Sequence, residues 1–134
     1  MIIDHLFAFA SEAAAKSALS QYVSEGEWNT SVVFPALTLY TQTPAYDAEG
    51  NETQPAITLP GFWLCVSTNA LDATLTAMAE HRMAANRELA VAGQPFIYPQ
   101  GLHADPAVMA QVVRVDGLPA GSSYPFNAPR VIGT

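Results

Sequence analysis

Gly61-Phe62-Trp63-Leu64-Cys65-Val66-Ser67-Thr68-Asn69 decides how the rest of the chain is read. Residues 61–66 are nearly all apolar. In an extended segment Phe62, Leu64 and Val66 point one way, and Trp63 and Cys65 the other. Apolar side chains on both faces mark an interior strand. Thr68 or Asn69 then offers a helix cap, with Asp72 in the first turn. Leu71, Leu75, Met78, Ala85 and Leu89 keep helical spacing, so a helix is predicted to about residue 91, with Gly93 as its stop. Arg82 interrupts that stripe and is expected at its margin, its stem lying on apolar surface.

The same plan stands at the N-terminus. Residues 2–10 read as a strand with Ile3, Phe7 and Phe9 on one face and Ile2, Leu6, Ala8 and Ala10 on the other. Ser11 is a good N-cap and Glu12 suits the positive end of the helix dipole. Glu12 and Lys16 form an i, i+4 pair. Ala15, Ala18, Leu19 and Tyr22 give the apolar stripe, and Gly26 marks the exit.

Between these units, residues 31–43 alternate: Leu37 and Leu39 against Thr38, Tyr40 and Gln42. Pro35 favours an edge or a bulge there. Residues 44–54 are polar and read as a mobile hairpin tip. Residues 111–115 read as the last strand. The order strand–helix–strand–strand–helix–strand predicts an α+β, ferredoxin-like βαββαβ two-layer sandwich. Its antiparallel sheet would carry two helices on one face, with the first and third strands central. Residues 1–116 form a single domain in this reading. Residues 117–134 form a proline- and glycine-rich tail that packs on the domain or on a partner.

A consequence follows for assembly. Two helices cover one face of a four-stranded sheet, yet the central strands are apolar on both. Burying one large side chain contributes about 1.5–3 kcal/mol, so the second face needs a cover. The tail or a second subunit would supply it. A homodimer or larger ring is expected, with Phe62, Trp63, Tyr124 and Phe126 at the interface.

The bulk composition excludes several partners. Of 134 residues only 13% are charged, against roughly a quarter in ordinary domains, which leaves apolar surface in want of contacts. The net charge is −7, and the five bases, Lys16, Arg82, Arg87, Arg114 and Arg130, are scattered. Nucleic acid and anionic membrane surfaces are therefore not expected partners. Cys65 is the one cysteine, so no internal disulfide forms and an intracellular setting is the simpler reading. The N-terminus lacks the pattern of a signal peptide, and no apolar run approaches the roughly 18 residues of a membrane span. The expected location is cytoplasmic or virion-associated.

Candidate chemistry is sparse. His5, His81 and His103 lack metal-ligand spacing, and His103 with Asp105 is the pair best placed to converge. No metal and no cofactor is expected. Asp47, Glu49 and Asn51 have the spacing that opens a calcium loop. Glu52 stands where its glycine belongs, though, and position 58 is Thr where the bidentate acid belongs. Cys65 inside an apolar strand reads as an inert core thiol, with His5 on the neighbouring strand as its one conceivable base. A pocket, if present, would draw on Trp63, His5, Trp28 and Tyr40, with Tyr98-Pro99 nearby.

Three elements carry a resemblance. Phe9-Ala10-Ser11-Glu12 follows the opening strand, Pro60-Gly61-Phe62-Trp63 sits in mid-chain, and Gly121-Ser122-Ser123-Tyr124-Pro125-Phe126 lies near the end. In order and rough spacing this resembles small uncharacterised phage- and prophage-encoded proteins. The resemblance implies a virion-assembly or accessory role and brings no catalytic residue. The expectation is therefore a non-enzymatic, self-associating structural or accessory protein. The alternative is a small-ligand-binding or enzymatic dimeric α/β-barrel protein that uses the aromatic open face of its sheet.

Overall fold

The computed structural model describes residues 2–69, 73–78, 80–85, 105–126 and 130. The elements run β1 (Ile3–Phe9), α1 (Glu12–Ala18), β2 (Val23–Ser24), β3 (Glu27–Trp28), β4 (Val33–Gln42), β5 (Ala45–Tyr46), β6 (Glu52–Gln54), β7 (Ile57–Thr58), β8 (Phe62–Thr68), α2 (Ala73–Ala77), β9 (Arg82–Ala85), α3 (Pro106–Met109) and β10 (Arg114–Asp116). The main sheet has the order β10-β4-β8-β1-β9, with β7 also on β4, and it is antiparallel throughout. It curls strongly into a half-barrel.

This corrects the ferredoxin-like α+β expectation: the fold is mainly β. The central run is β4, β8 and β1, but two departures change the class. The helix expected as far as residue 91 is α2, five residues long, and the chain then enters β9. Helical spacing was present, yet β1 offers an unpaired edge, and 82–85 takes it, Ala85 opposite His5 and Ala84 opposite Leu6. A tertiary partner overrides a local propensity here. Arg82, expected at a helix margin, is buried in that strand. The last strand also moves. It pairs with β4, Val115 opposite Leu39, at the edge away from β1, which makes β4 an interior strand.

The first helix is shorter than its apolar stripe suggested. Ser11 caps it, its Oγ accepting from the Ala14 amide at 3.1 Å. The helix ends at Ala18 and a 3-10 turn over Ser20–Tyr22 leads into the β2–β3 hairpin. Glu25 and Gly26, at φ 52° and 80°, make the turn of that hairpin rather than a helix exit. In β4 the register shifts between Phe34 and Leu37, where Pro35 lacks an amide donor and Ala36 takes φ 58°.

Register fixes which side chains share a face. Opposite Phe7, Phe9 and His5 on β1 stand Leu64, Phe62 and Val66 on β8. With Ala15, Leu19, Trp28, Val33 and Leu75 the apolar members form one cluster, so α1 and α2 cover this face. Opposite Asp4, Leu6 and Ala8 stand Ser67, Cys65 and Trp63. This second face is not left to solvent. Met109 is buried against it, and Val108, Val112, Val115, Leu118, Tyr124 and Phe126 pack there too. The chain's own segment from 105 to 126 is its cover.

Candidate functional site

The four residues expected to line a pocket do not converge. His5 and Trp28 lie on the α1 side of the sheet, Trp63 on the opposite side, and Tyr40 on the outer strand pair. Each is engaged locally. His5 is fully buried, with Nε2 3.5 Å from Thr68 Oγ1 and its ring 6.4 Å from that of Phe7. The indole of Trp28 donates to Glu12 Oε2 at 3.4 Å, and Lys16 Nζ lies 5.9 Å from its ring centre. Trp63 donates to the Pro60 carbonyl at 3.0 Å. The Arg114 guanidinium stacks on Tyr40, 5.0 Å from the ring centre.

The expected interface residues are engaged within the chain. Phe62 is half-buried on the α1 face and Trp63 is buried. Tyr124 and Phe126 meet edge to face at 5.7 Å, and Tyr124 Oη donates to the Met109 carbonyl at 3.3 Å. His5 and Cys65 stand on opposite faces by strand alternation, so the imidazole does not serve the thiol. Burial, reinforced by the charge of Asp4, pushes the Cys65 thiol up to about 12, which makes it inert as a nucleophile. His81 stacks on Phe9 at 4.5 Å with Glu80 at 3.5 Å. Asp105 caps α3, and His103 lies outside the described residues. At the hairpin tip the Asp47 carboxylate accepts from the Glu49 and Asn51 amides at 3.0 and 2.9 Å. Those amide bonds hold its pKa below the ordinary carboxylate value. It orders a turn. Among the described residues no cluster of three or more His, Cys, Asp or Glu side chains is placed to hold a metal ion, and no helix is long and apolar enough to cross a membrane.

The densest polar constellation escaped the sequence reading. Asp4, fully buried on β1, takes a two-pronged contact from Arg130: Nε to Oδ2 and Nη2 to Oδ1, both 2.8 Å. Ser67 Oγ donates to Oδ1 at 2.6 Å and Ser122 Oγ to Oδ2 at 3.1 Å. Arg130 also reaches the Ala120 carbonyl at 3.2 Å, and its backbone bridges to Ile2. The carboxylate holds the guanidinium pKa above its ordinary value. Its signal in the sequence was Asp4 itself, a lone charge in an otherwise apolar strand, which demands a buried partner. The cluster clasps the chain's end to its first strand.

A different surface stays open. Tyr46, Ile57 and Val113 are large apolar side chains at 61, 50 and 60% exposure. All three lie on segments that adjoin the second half of β4. The Val113 amide donates to the Tyr40 carbonyl, Ile57 stands opposite Gln42, and Tyr46 lies four residues beyond Gln42 in the chain.

Comparison with protein-family models, with curated proteins and with solved structures gives no match.

Proposed function

We propose that this chain is a non-enzymatic structural or accessory protein that works by associating with further copies of itself. One observation carries the reading: the large apolar side chains of Tyr46, Ile57 and Val113 are left exposed on segments beside the second half of β4. Both sheet faces are filled from within, so these side chains are where contact with another molecule has most apolar area to gain. The polar groups in the interior support it. Asp4, Ser67, Ser122 and Arg130 hold the chain's end in place, and Cys65 keeps its proton. The resemblance of the motif order to that of phage and prophage proteins makes a virion-assembly setting the natural one to examine.

The ligand-binding alternative rested on an open aromatic face and on analogy with ferredoxin-like barrels. Residues 105–126 occupy that face, and the analogy goes with the fold.

Sedimentation velocity over a wide concentration range tests the proposal. A species larger than one chain is expected, and Val113→Lys should shift it toward monomer. A monomer at every concentration overturns the proposal.

A further inference from the structure

We propose that β10 is the seam at which two copies of this chain join, pairing antiparallel about Val115 so that the sheet continues across the dimer. The inference deepens the self-association reading and rests on it. Its first ground is position. Among the described residues β10 ends the sheet, with β4 on one side and no strand on the other. An edge strand presents unpaired backbone donors and acceptors and is a ready template for another strand.

The second ground is charge. Arg114 and Asp116 lie two residues apart, on one face of the strand, with side chains 51 and 41% exposed. An antiparallel pair centred on Val115 sets Arg114 of each copy opposite Asp116 of the other. The strand is thus complementary to itself, as a two-fold contact requires. The two side chains already recognise each other within the strand, Nε to Oδ1 at 2.7 Å and Nη2 to Oδ2 at 2.9 Å. A dimer offers the same contacts across the seam, where directly opposed opposite charges stabilise pairing. The stack of Arg114 on Tyr40 holds the guanidinium over the sheet's outer face in readiness.

The third ground is exposed apolar surface. Continuing the same register brings Val113 of one copy to Gly117 of the other. Val113 is exposed, and Gly117, at φ 95°, turns the chain there, with Leu37 Cδ2 3.0 Å from where a side chain would begin. The second copy therefore meets an exposed apolar side chain, Val113, at each end of the seam. Val115 turns inward with Leu39 and keeps the edge strand on its own core.

Charge reversal distinguishes this seam from other modes of association. The full-length chain and the variants Arg114→Asp, Asp116→Arg and Arg114→Asp/Asp116→Arg are compared by sedimentation velocity, with circular dichroism confirming each fold. Either single reversal puts like charges opposite each other twice in the dimer, and association should weaken by about tenfold. The double exchange restores opposite charges at both positions and should return association to the wild-type range. Two single variants are included so that a folding failure in one leaves the other to decide. If wild type associates but all the variants associate equally, the β10 seam is wrong while self-association stands. If wild type is monomeric throughout, both readings fall.

Discussion

The two faces of the sheet are closed by different means. One is covered chiefly by α1, which follows β1 directly, so cover and covered strand are neighbours in sequence. The other is covered by residues 105–126, from the far end of the chain. The near cover relies on apolar contact with a capped helix. The distant cover adds a buried ion pair, Asp4 with Arg130. The difference is physical. Apolar contact is non-directional and favours many nearby registers. A short connection removes that freedom for α1. A strap returning from more than a hundred residues away needs another restraint, and a two-pronged carboxylate–guanidinium contact fits in one geometry only. We read the clasp as a device for register, since the desolvation of two charges offsets much of their attraction.

The largest effect should come from the near face. Phe7 is fully buried among Leu64, Phe9 and Val66. Phe7→Ala should lower unfolding stability by about 4 kcal/mol, the transfer loss plus a cavity. Because β1 is central, the loss should appear in one cooperative transition in urea. A loss below about 1 kcal/mol would mean that this face is not packed as described.

Asp4→Ala comes next and divides the faces. It leaves the Arg130 guanidinium and the Ser67 and Ser122 hydroxyls without their acceptor. A loss of about 3 kcal/mol is expected, at the low end for a broken buried pair because Arg130 keeps 17% exposure. Hydrogen exchange should quicken in residues 105–126 before it quickens in α1. Asp4→Leu combined with Arg130→Met should regain most of the stability, since an apolar pair leaves no uncompensated charge. Equal exchange gains in α1 and in 105–126 would erase the distinction drawn between the faces.

The same contrast explains what could be read from the amino acids. The double-sided apolar pattern of 62–66 announced a strand in need of cover on both sides, and Ser11 announced the start of α1. Both signals are local. The position of β9 was not legible, because Arg82-Met83-Ala84-Ala85 favours a helix in isolation and becomes a strand only beside β1. Arg130 lies 126 residues from its acceptor, and no spacing rule links such a pair. The exposure of Tyr46, Ile57 and Val113 beside β4 was equally hidden, because they come from three separate segments. What a segment does alone was visible; what it does because a distant segment arrives was not.

Taken over the first pH unit above 9, the smallest predicted effect is a dependence on high pH, and it belongs to the strap-covered face. Cys65 sits there beside Ser67, and burial with the charge of Asp4 raises its pKa from 9.0 to about 12. Below pH 9 both folded and unfolded chains hold the thiol proton, and its contribution to stability is fully present. Between pH 9 and 12 the unfolded chain releases that proton while the folded chain retains it. Stability therefore falls as pH rises through this window, by up to about 1.4 kcal/mol per pH unit for the one proton. Tyr124, whose pKa burial also raises, adds a loss of the same sign above its ordinary 10.0. Cys65→Ala separates the two. The variant should be less stable at neutral pH because of its cavity, yet its stability should decline less steeply from pH 9 upward, the remaining slope on this face belonging to Tyr124. Urea midpoints measured at successive pH values would show this. The alkaline loss should also begin as faster exchange in residues 105–126, since Cys65 lies under the strap and Tyr124 belongs to it. If wild type and Cys65→Ala decline in parallel, the thiol is already ionised or hydrated in the folded chain, and the strap does not seal that face.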